Sequence, residues 1–355
     1  MNIALLRLLP ASVAVCLVAL APAARGWDYE GHRLVNRIAL ASLPTNFPAW
    51  IFTTAARERI AFLAGEADRW RNTPDQPLKH FNEPDHYFDF DLLGLHGLEA
   101  RSLSQFRYEF SFALAQARRA HATNFPPIDP TKDTDRTKEL IGLLPWSIVE
   151  HQGKLKSAFS YLRELDNAGT PEEVANAREN VIYIMGVMGH FVGDGAQPLH
   201  TTKHHHGWVG ENPNHYTTNF TFHKWIDGSY IAKFPIDAEN LKTKLRPARL
   251  IGGGGAGANC FPEVMSYLLE QHEQVEPLYR LDKQRKLSGF AEFSAEGHDF
   301  ITGQMLKAGQ MLGDLWLTAW QQAPPDTFLR AQLAKRKLPK EGAPGTETGQ
   351  PPKPE

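Results

Sequence analysis

Cysteine is nearly absent: the 355 residues contain only Cys16 and Cys260. Thiolate metal clusters and disulfide frameworks are thereby excluded as the organising device. Strand-like alternation is also scarce, apart from a weak run over His86–Leu92, which excludes a β-rich fold. No Pro- or Ser-rich linker divides the chain between Trp27 and about Leu338, and no internal repeat occurs. An excess of one charge is lacking too, since the formal net charge is -2. Bulk attraction to nucleic acid or membrane is excluded, so any pull on a polyanion must come from a local site.

What is there begins with an export signal. Arg7 precedes an apolar run from Leu8 to Pro22, and Ala24 and Gly26 supply small residues before a cut. The run is short of the ~20 residues of a membrane span, which argues against a retained anchor. Val15 is too large to precede a lipoprotein Cys16. Residues 1–26 are therefore expected to be a signal peptide, with the mature chain beginning at Trp27 and exported to the periplasm or secreted. Cys260 would then stand alone. Residues 339–355 carry no packable face and are expected to form a disordered tail.

The middle, residues 27–338, reads as one all-α domain. Leu34, Ile38 and Ala41 share a helix face, widened by Val35 and Ala39. Two helical stretches are expected between Asp135 and Leu165, joined at Leu144-Pro145. Thr170-Pro171-Glu172-Glu173 has the form of a helix start: a Thr cap, Pro in the first turn and Glu three residues after the cap. Helical spacing continues to Gly195 and returns over Phe261–Glu276 and Ala291–Gln322. Long loops are expected at 72–85, 120–133, 201–215 and 251–259, and such loops are candidate functional surfaces.

Three groupings carry chemistry. The first runs from Gly189 to His200, with His190 and Asp194 four apart on an otherwise apolar helix. Pro198 ends that helix and turns the chain so that His200 can return toward the same point. The second is the pair His223 and Asp227, again four apart. The third comprises Glu66 and Asp68, followed by Asp85 and His86. Imidazole and carboxylate are what zinc accepts when thiolates are lacking. A single His-x-x-x-Asp is more often a surface pair or a satisfied core histidine; the repetition of the pattern favours metal. Trp27 adds to it, because a freed amino terminus and its carbonyl oxygen form a five-membered chelate, with His32 close behind.

This set resembles the trinuclear-zinc family that contains the single-strand-specific nucleases with 3′-nucleotidase activity and, as a sister branch, the zinc-dependent phospholipases C. The matching motifs run from Trp27 to Asp227. The resemblance implies three zinc ions. Asp68, His86, His190 and Asp194 would hold one; His200, His223 and Asp227 a second; the Trp27 amine and carbonyl, His32 and the other Asp194 oxygen the third. A water between the two ions bridged by Asp194 would be the nucleophile, and cleavage would leave a 5′-phosphate and a free 3′-hydroxyl. The catalytic set implied is Asp68, Arg71 and Asp194, with Arg71 aimed at the phosphate. Tyr87 would stack on a base and Asp89 would hydrogen-bond it.

The long gap from His200 to His223, and Asp227 where the phospholipases typically carry Glu, favour the nuclease branch. The expected substrate is single-stranded DNA, RNA or a 3′-nucleotide, with phospholipid as the alternative. A non-catalytic zinc-binding protein is a further reading. No obligate protein partner is implied, and the chain is expected to act as a monomer. Departures from the family are Gly228 after Asp227, a partial match at Gly210-Glu211-Asn212-Pro213, and the missing paired cysteines of some relatives. His204, His205 and His206 could gather extra metal or face the substrate, but are expected on a solvated loop at the cleft mouth.

Overall fold

The computed structural model describes residues 27–253, 259–288 and 292–336. The expected signal peptide, the whole of the expected tail, and residues 254–258 of one expected loop lie outside the described residues.

Helix α7 (Pro171–Ala196) organises the rest. Its start is the one the sequence announces: Glu173 N donates to Thr170 Oγ1 at 3.2 Å and Thr170 N donates to the Glu173 carboxylate at 3.0 Å. From Met185 to Ala196 every residue is buried. A helix apolar on all sides must lie inside the protein, and α7 accordingly packs against α1 (Tyr29–Ser42), α2 (Thr54–Leu63), α3 (Glu66–Arg71) and α6 (Leu144–Ala168). Further on, α11 (Phe261–His272) and α13 (Ala295–Gln321) close around it. The remaining α-helical segments are α4 (Gln76–Asn82), α5 (Arg107–Ala120), α8 (Phe222–Lys224), α9 (Tyr230–Lys233), α10 (Ala238–Leu241), α12 (Val275–Lys283) and α14 (Thr327–Arg336). A π-helical turn, Trp225–Ser229, joins α8 to α9.

One hydrophobic core extends from Trp27 to Leu333. Trp146, Trp316, Phe47, Phe88, Phe110 and Phe191 are fully enclosed in it. Phe110 stacks on Trp146 with ring centres 4.1 Å apart. Burying such rings contributes on the order of 1.5–3 kcal/mol each. The all-α expectation is met: among the described residues there is no sheet, and no helix is long and apolar enough to cross a membrane.

Several details differ from expectation. The weak strand at His86–Leu92 is reduced to a single antiparallel bridge between Phe88 and Gly142. The span 72–85 is no plain loop, because Asp75 caps α4 by accepting from Leu78 N at 3.0 Å. Residues 135–143 form no helix; Leu143 N instead donates to Pro84 O at 2.6 Å and Asp89 N to Ile141 O at 2.7 Å. The stretch Phe261–Glu276 is divided between α11 and α12.

Candidate metal centre

His190 and Asp194 occupy the buried end of α7, four residues apart, and both are fully enclosed. His190 Nδ1 donates to Ala64 O at 2.7 Å, which fixes the tautomer and leaves Nε2 facing inward. There it lies 3.0 Å from His86 Nδ1, 3.3 Å from Asp194 Oδ2 and 3.9 Å from Asp68 Oδ1. His86 Nδ1 is in turn 2.9 Å from Asp194 Oδ2. Four potential ligand atoms from α3, α7 and the turn before Tyr87 thus converge.

A second group forms where α7 ends. The turn Pro198–Thr201 carries His200 back as expected, and its Nδ1 donates to His86 O at 2.5 Å, leaving Nε2 inward. His223 Nε2 lies 2.9 Å from Asp227 Oδ2. Asp227 sits in the π-helical turn rather than on a straight α-helix, and Gln197 Nε2 donates to its other oxygen. His200, His223 and Asp227 could together hold a metal ion.

His32 forms the third corner. Its Nε2 is 3.4 Å from Asp194 Oδ1, and its ring stacks on His190 with centres 3.9 Å apart. Nearest-atom geometry also groups it with Asp68 and His190. A Cβ on Gly193 would meet His32 Nδ1 at 2.7 Å and come within 3.7 Å of the Trp27 ring, so only glycine admits this approach. Trp27 is fully buried beside the group.

The donor set fits metal. His32 Nδ1, His200 Nε2 and His223 Nδ1 are enclosed with no hydrogen-bond partner, and His223 Nε2 and Asp227 Oδ2, like His32 Nε2 and Asp194 Oδ1, face each other without hydrogen-bond geometry. Unpaired buried polar atoms cost about 1–3 kcal/mol each, so a cluster of them calls for a ligand. Burial and the neighbouring His190 lower His32 to about 4. Burial lowers His86 to about 3, with Arg71 acting in the same direction, and lowers His223 to about 3, with His205 adding to it. His200 is also lowered by burial. These imidazoles are therefore neutral, the form that binds metal. His190 is the exception: burial works to lower it, but Asp194 raises it overall. For Asp194, burial favours the acid, yet His190 and His200 hold the carboxyl well below its usual range. Burial pushes Asp227 well above that range.

Arg71 is buried and its Nε donates to Asp68 Oδ1 at 2.9 Å. Burial would raise Asp68, but the Arg71 charge holds it at about 2. Arg71, Tyr87, Asp89, His200 and His223 line one open cavity of about 540 Å³, with Lys79, Lys132 and Lys138 also on its wall. Tyr87 is half-buried there, while Asp89 is buried with an unpartnered Oδ1. Burial, with Asp91 adding to it, pushes the Asp89 carboxyl up to about 8. The side chains of the sequence-derived site residues thus meet at this cluster or line the adjoining cavity, Trp27 through its ring beside Gly193.

One feature was not read from the sequence. Gln197 orients Asp227 although it lies inside the Gly189–His200 segment; nothing in its residue type marks that role. The expected solvated His-rich loop is corrected toward the alternative that it faces the cavity. His204 is buried and stacks on Trp208 at 4.0 Å, while His205 and His206 are partly buried and line the cavity. Searches of protein-family models, curated proteins and solved structures found no match for this chain.

Proposed function

We propose that this chain is a zinc-dependent phosphodiester hydrolase: an exported endonuclease on single-stranded nucleic acid, with 3′-nucleotidase activity and 5′-phosphate products. The observation that carries the reading is the meeting of three kinds of group in one place. Buried, partnerless His and Asp ligand atoms form the floor, the Arg71 guanidinium stands beside them, and Tyr87 and Asp89 line the same cavity. Asp68, His86, His190 and Asp194 would hold one zinc, His200, His223 and Asp227 another, and Trp27, His32 and Asp194 the third. Zinc in such a site supplies Lewis acidity toward a phosphoryl oxygen and activates water near neutral pH.

The chain's own groups do the rest. Arg71 presents a fixed fork of donors to the equatorial phosphate oxygens, where negative charge grows during in-line displacement. Its bond to Asp68 keeps that fork from rotating away. Tyr87 offers a ring face to a base, an interaction tolerant of sequence. Asp89, held as the neutral acid by burial, can donate as well as accept at a base edge. The backbone carbonyls of Ala64 and His86 hold the ring tautomers of His190 and His200.

The test uses the protein begun at Trp27 with no residue before it. Zinc per chain is counted, and cleavage of single-stranded DNA is followed with and without chelator in the same sample. About three zinc ions and chelator-sensitive release of 5′-phosphate ends are expected. Three zinc ions with hydrolysis of phosphatidylcholine alone would move the chain to the phospholipase branch, and fewer than two would sink the zinc-cluster reading.

A further inference from the structure

Helix α7 stops just past Asp194, at Ala196, and the stop leaves a backbone acceptor to be satisfied. The last carbonyls of a helix lack partners within it. Here Pro198 has no N–H to offer, Leu199 N donates to Gln197 Oε1 at 2.7 Å, and His200 N donates to Gln197 O at 2.9 Å. The donors of the turn are thus used inside it. Ala196 O is met instead from 108 residues away, where Gln304 Nε2 on α13 donates to it at 2.8 Å. Gln304 is 2% exposed, a polar side chain on a helix whose Ile301, Met305 and Ala308 belong to the core.

The Gln304 amide is held on every side. Its nitrogen also donates to Gln271 Oε1 on α11, at 2.7 Å. Its oxygen accepts from Lys307 Nζ at 3.1 Å, and the same ammonium reaches Gln271 Oε1 at 3.4 Å. Gln271 Nε2 donates in turn to Tyr267 O at 3.2 Å, and Gln271 is fully buried. With its oxygen on a cation, Gln304 can turn only its nitrogen toward Ala196 O. The positive charge on the amide oxygen also strengthens the amide as a donor. Gln271 and Lys307 line a second cavity, of about 580 Å³, that shares no lining residue with the cleft of Arg71 and Tyr87. The network therefore meets the metal centre through Ala196 and not through the cleft.

We propose that Gln304, braced by Gln271 and Lys307, is a positioning residue for the zinc ion proposed at His200, His223 and Asp227. The inference rests on the zinc-centre reading above and not on the choice of substrate. The route is short. Ala196 leads directly into Gln197, whose side chain donates to Asp227 and accepts from Leu199 N, and His200 follows in the same turn. Pinning Ala196 O fixes where that turn starts. The direction of Gln197 toward Asp227, and of His200 Nε2 toward the same point, follows from it. His190 and Asp194 lie earlier, inside the regular helix, where the backbone is held by its own hydrogen bonds. Loss of the Gln304 donor should therefore be felt at one ion and not at the other two.

Stepwise zinc removal by chelators of graded strength is followed in the parent, Gln304→Leu, Gln197→Leu and the double variant, with His223→Ala marking which ion belongs to the site. Gln304→Leu is expected to bind that ion about ten-fold more weakly, the lower end for losing an outer hydrogen bond that orients ligands, and to keep parent-like affinity for the other two. Gln197→Leu should weaken the same ion. The double variant should be no weaker than Gln197→Leu alone, because both residues act along one path. A general loss of stability would not produce that pattern. If Gln304→Leu does not fold, Gln304→Glu carries the same expectation, since it keeps the size and an oxygen for Lys307 but has no amide donor. Parent-like affinity at every site, an equal loss at all three, or additive losses in the double variant overturns the positioning role and leaves the zinc reading intact. A parent that holds no ion lost in His223→Ala overturns the zinc reading at that site, and the positioning role with it.

Discussion

Asp194 Oδ2 and His86 Nδ1 lie 2.9 Å apart, although 108 residues separate them in the chain. Asp194 Oδ1 turns the other way, to 3.4 Å from His32 Nε2. A carboxylate that divides its oxygens between two imidazole groups has the form of a bridging ligand. Asp194→Ala is therefore expected to lose two of the three proposed zinc ions at once, and cleavage with them. Elemental analysis of the purified variant checks this. Three zinc ions retained per chain would remove Asp194 from the bridging role.

Much of this centre was legible because it is local. The spacing of His190 and Asp194, the turn at Pro198 and the Thr170–Glu173 capping box all act within one helix or its ends. The elements that escaped notice lack a local signature. Helix α4 buries only Asn82, and α5 buries only Phe110 and Leu114, so neither shows a wide apolar stripe. Residues 135–143 have helical spacing, yet their backbone groups at Ile141 and Leu143 bond to Asp89 and Pro84 across the chain. The order of the His204–Phe220 loop likewise comes from pairings such as Trp208 with Thr217 and Tyr279 with His204, which no single-window pattern registers.

Arg71 tests chemistry apart from metal binding. It contacts Asp68 but is not itself a metal donor, and its proposed role is to meet charge on the phosphate. Arg71→Ala is expected to lower kcat on single-stranded DNA by about 10²–10³-fold, the scale of losing a donor aimed at developing negative charge. Zinc content should hold, because Asp68 keeps its other neighbours. Arg71→Lys restores charge without the fork and should recover only part of the rate. Steady-state kinetics beside zinc analysis separates the cases. An unchanged kcat in Arg71→Ala would take Arg71 out of the phosphate site, and parallel loss of zinc would make it a support for Asp68.

Asp89 makes a prediction about stability and pH. Its carboxyl is pushed from the ordinary 3.8 up to about 8 by burial, with Asp91 acting in the same direction. The folded protein therefore keeps a proton that the unfolded chain releases between about pH 4 and pH 8. More protons are bound in the folded state over that window, so this group's contribution is fully present below pH 4 and declines as pH rises toward 8. The slope is at most about 1.4 kcal/mol per pH unit for one proton. Asp89→Asn carries an amide that resembles the protonated acid in shape and does not titrate. The stability of the parent relative to Asp89→Asn is thus expected to be flat below pH 4 and to fall across the window, leaving the variant the more stable of the two at pH 8. Urea unfolding of both proteins at a series of pH values measures the difference directly, with Asp85, Asp91 and the other acids common to both. Parallel curves would mean that Asp89 ionises as freely in the folded cleft as in water. In that case it could only accept hydrogen bonds at neutral pH, and its proposed donor role toward a base would be lost.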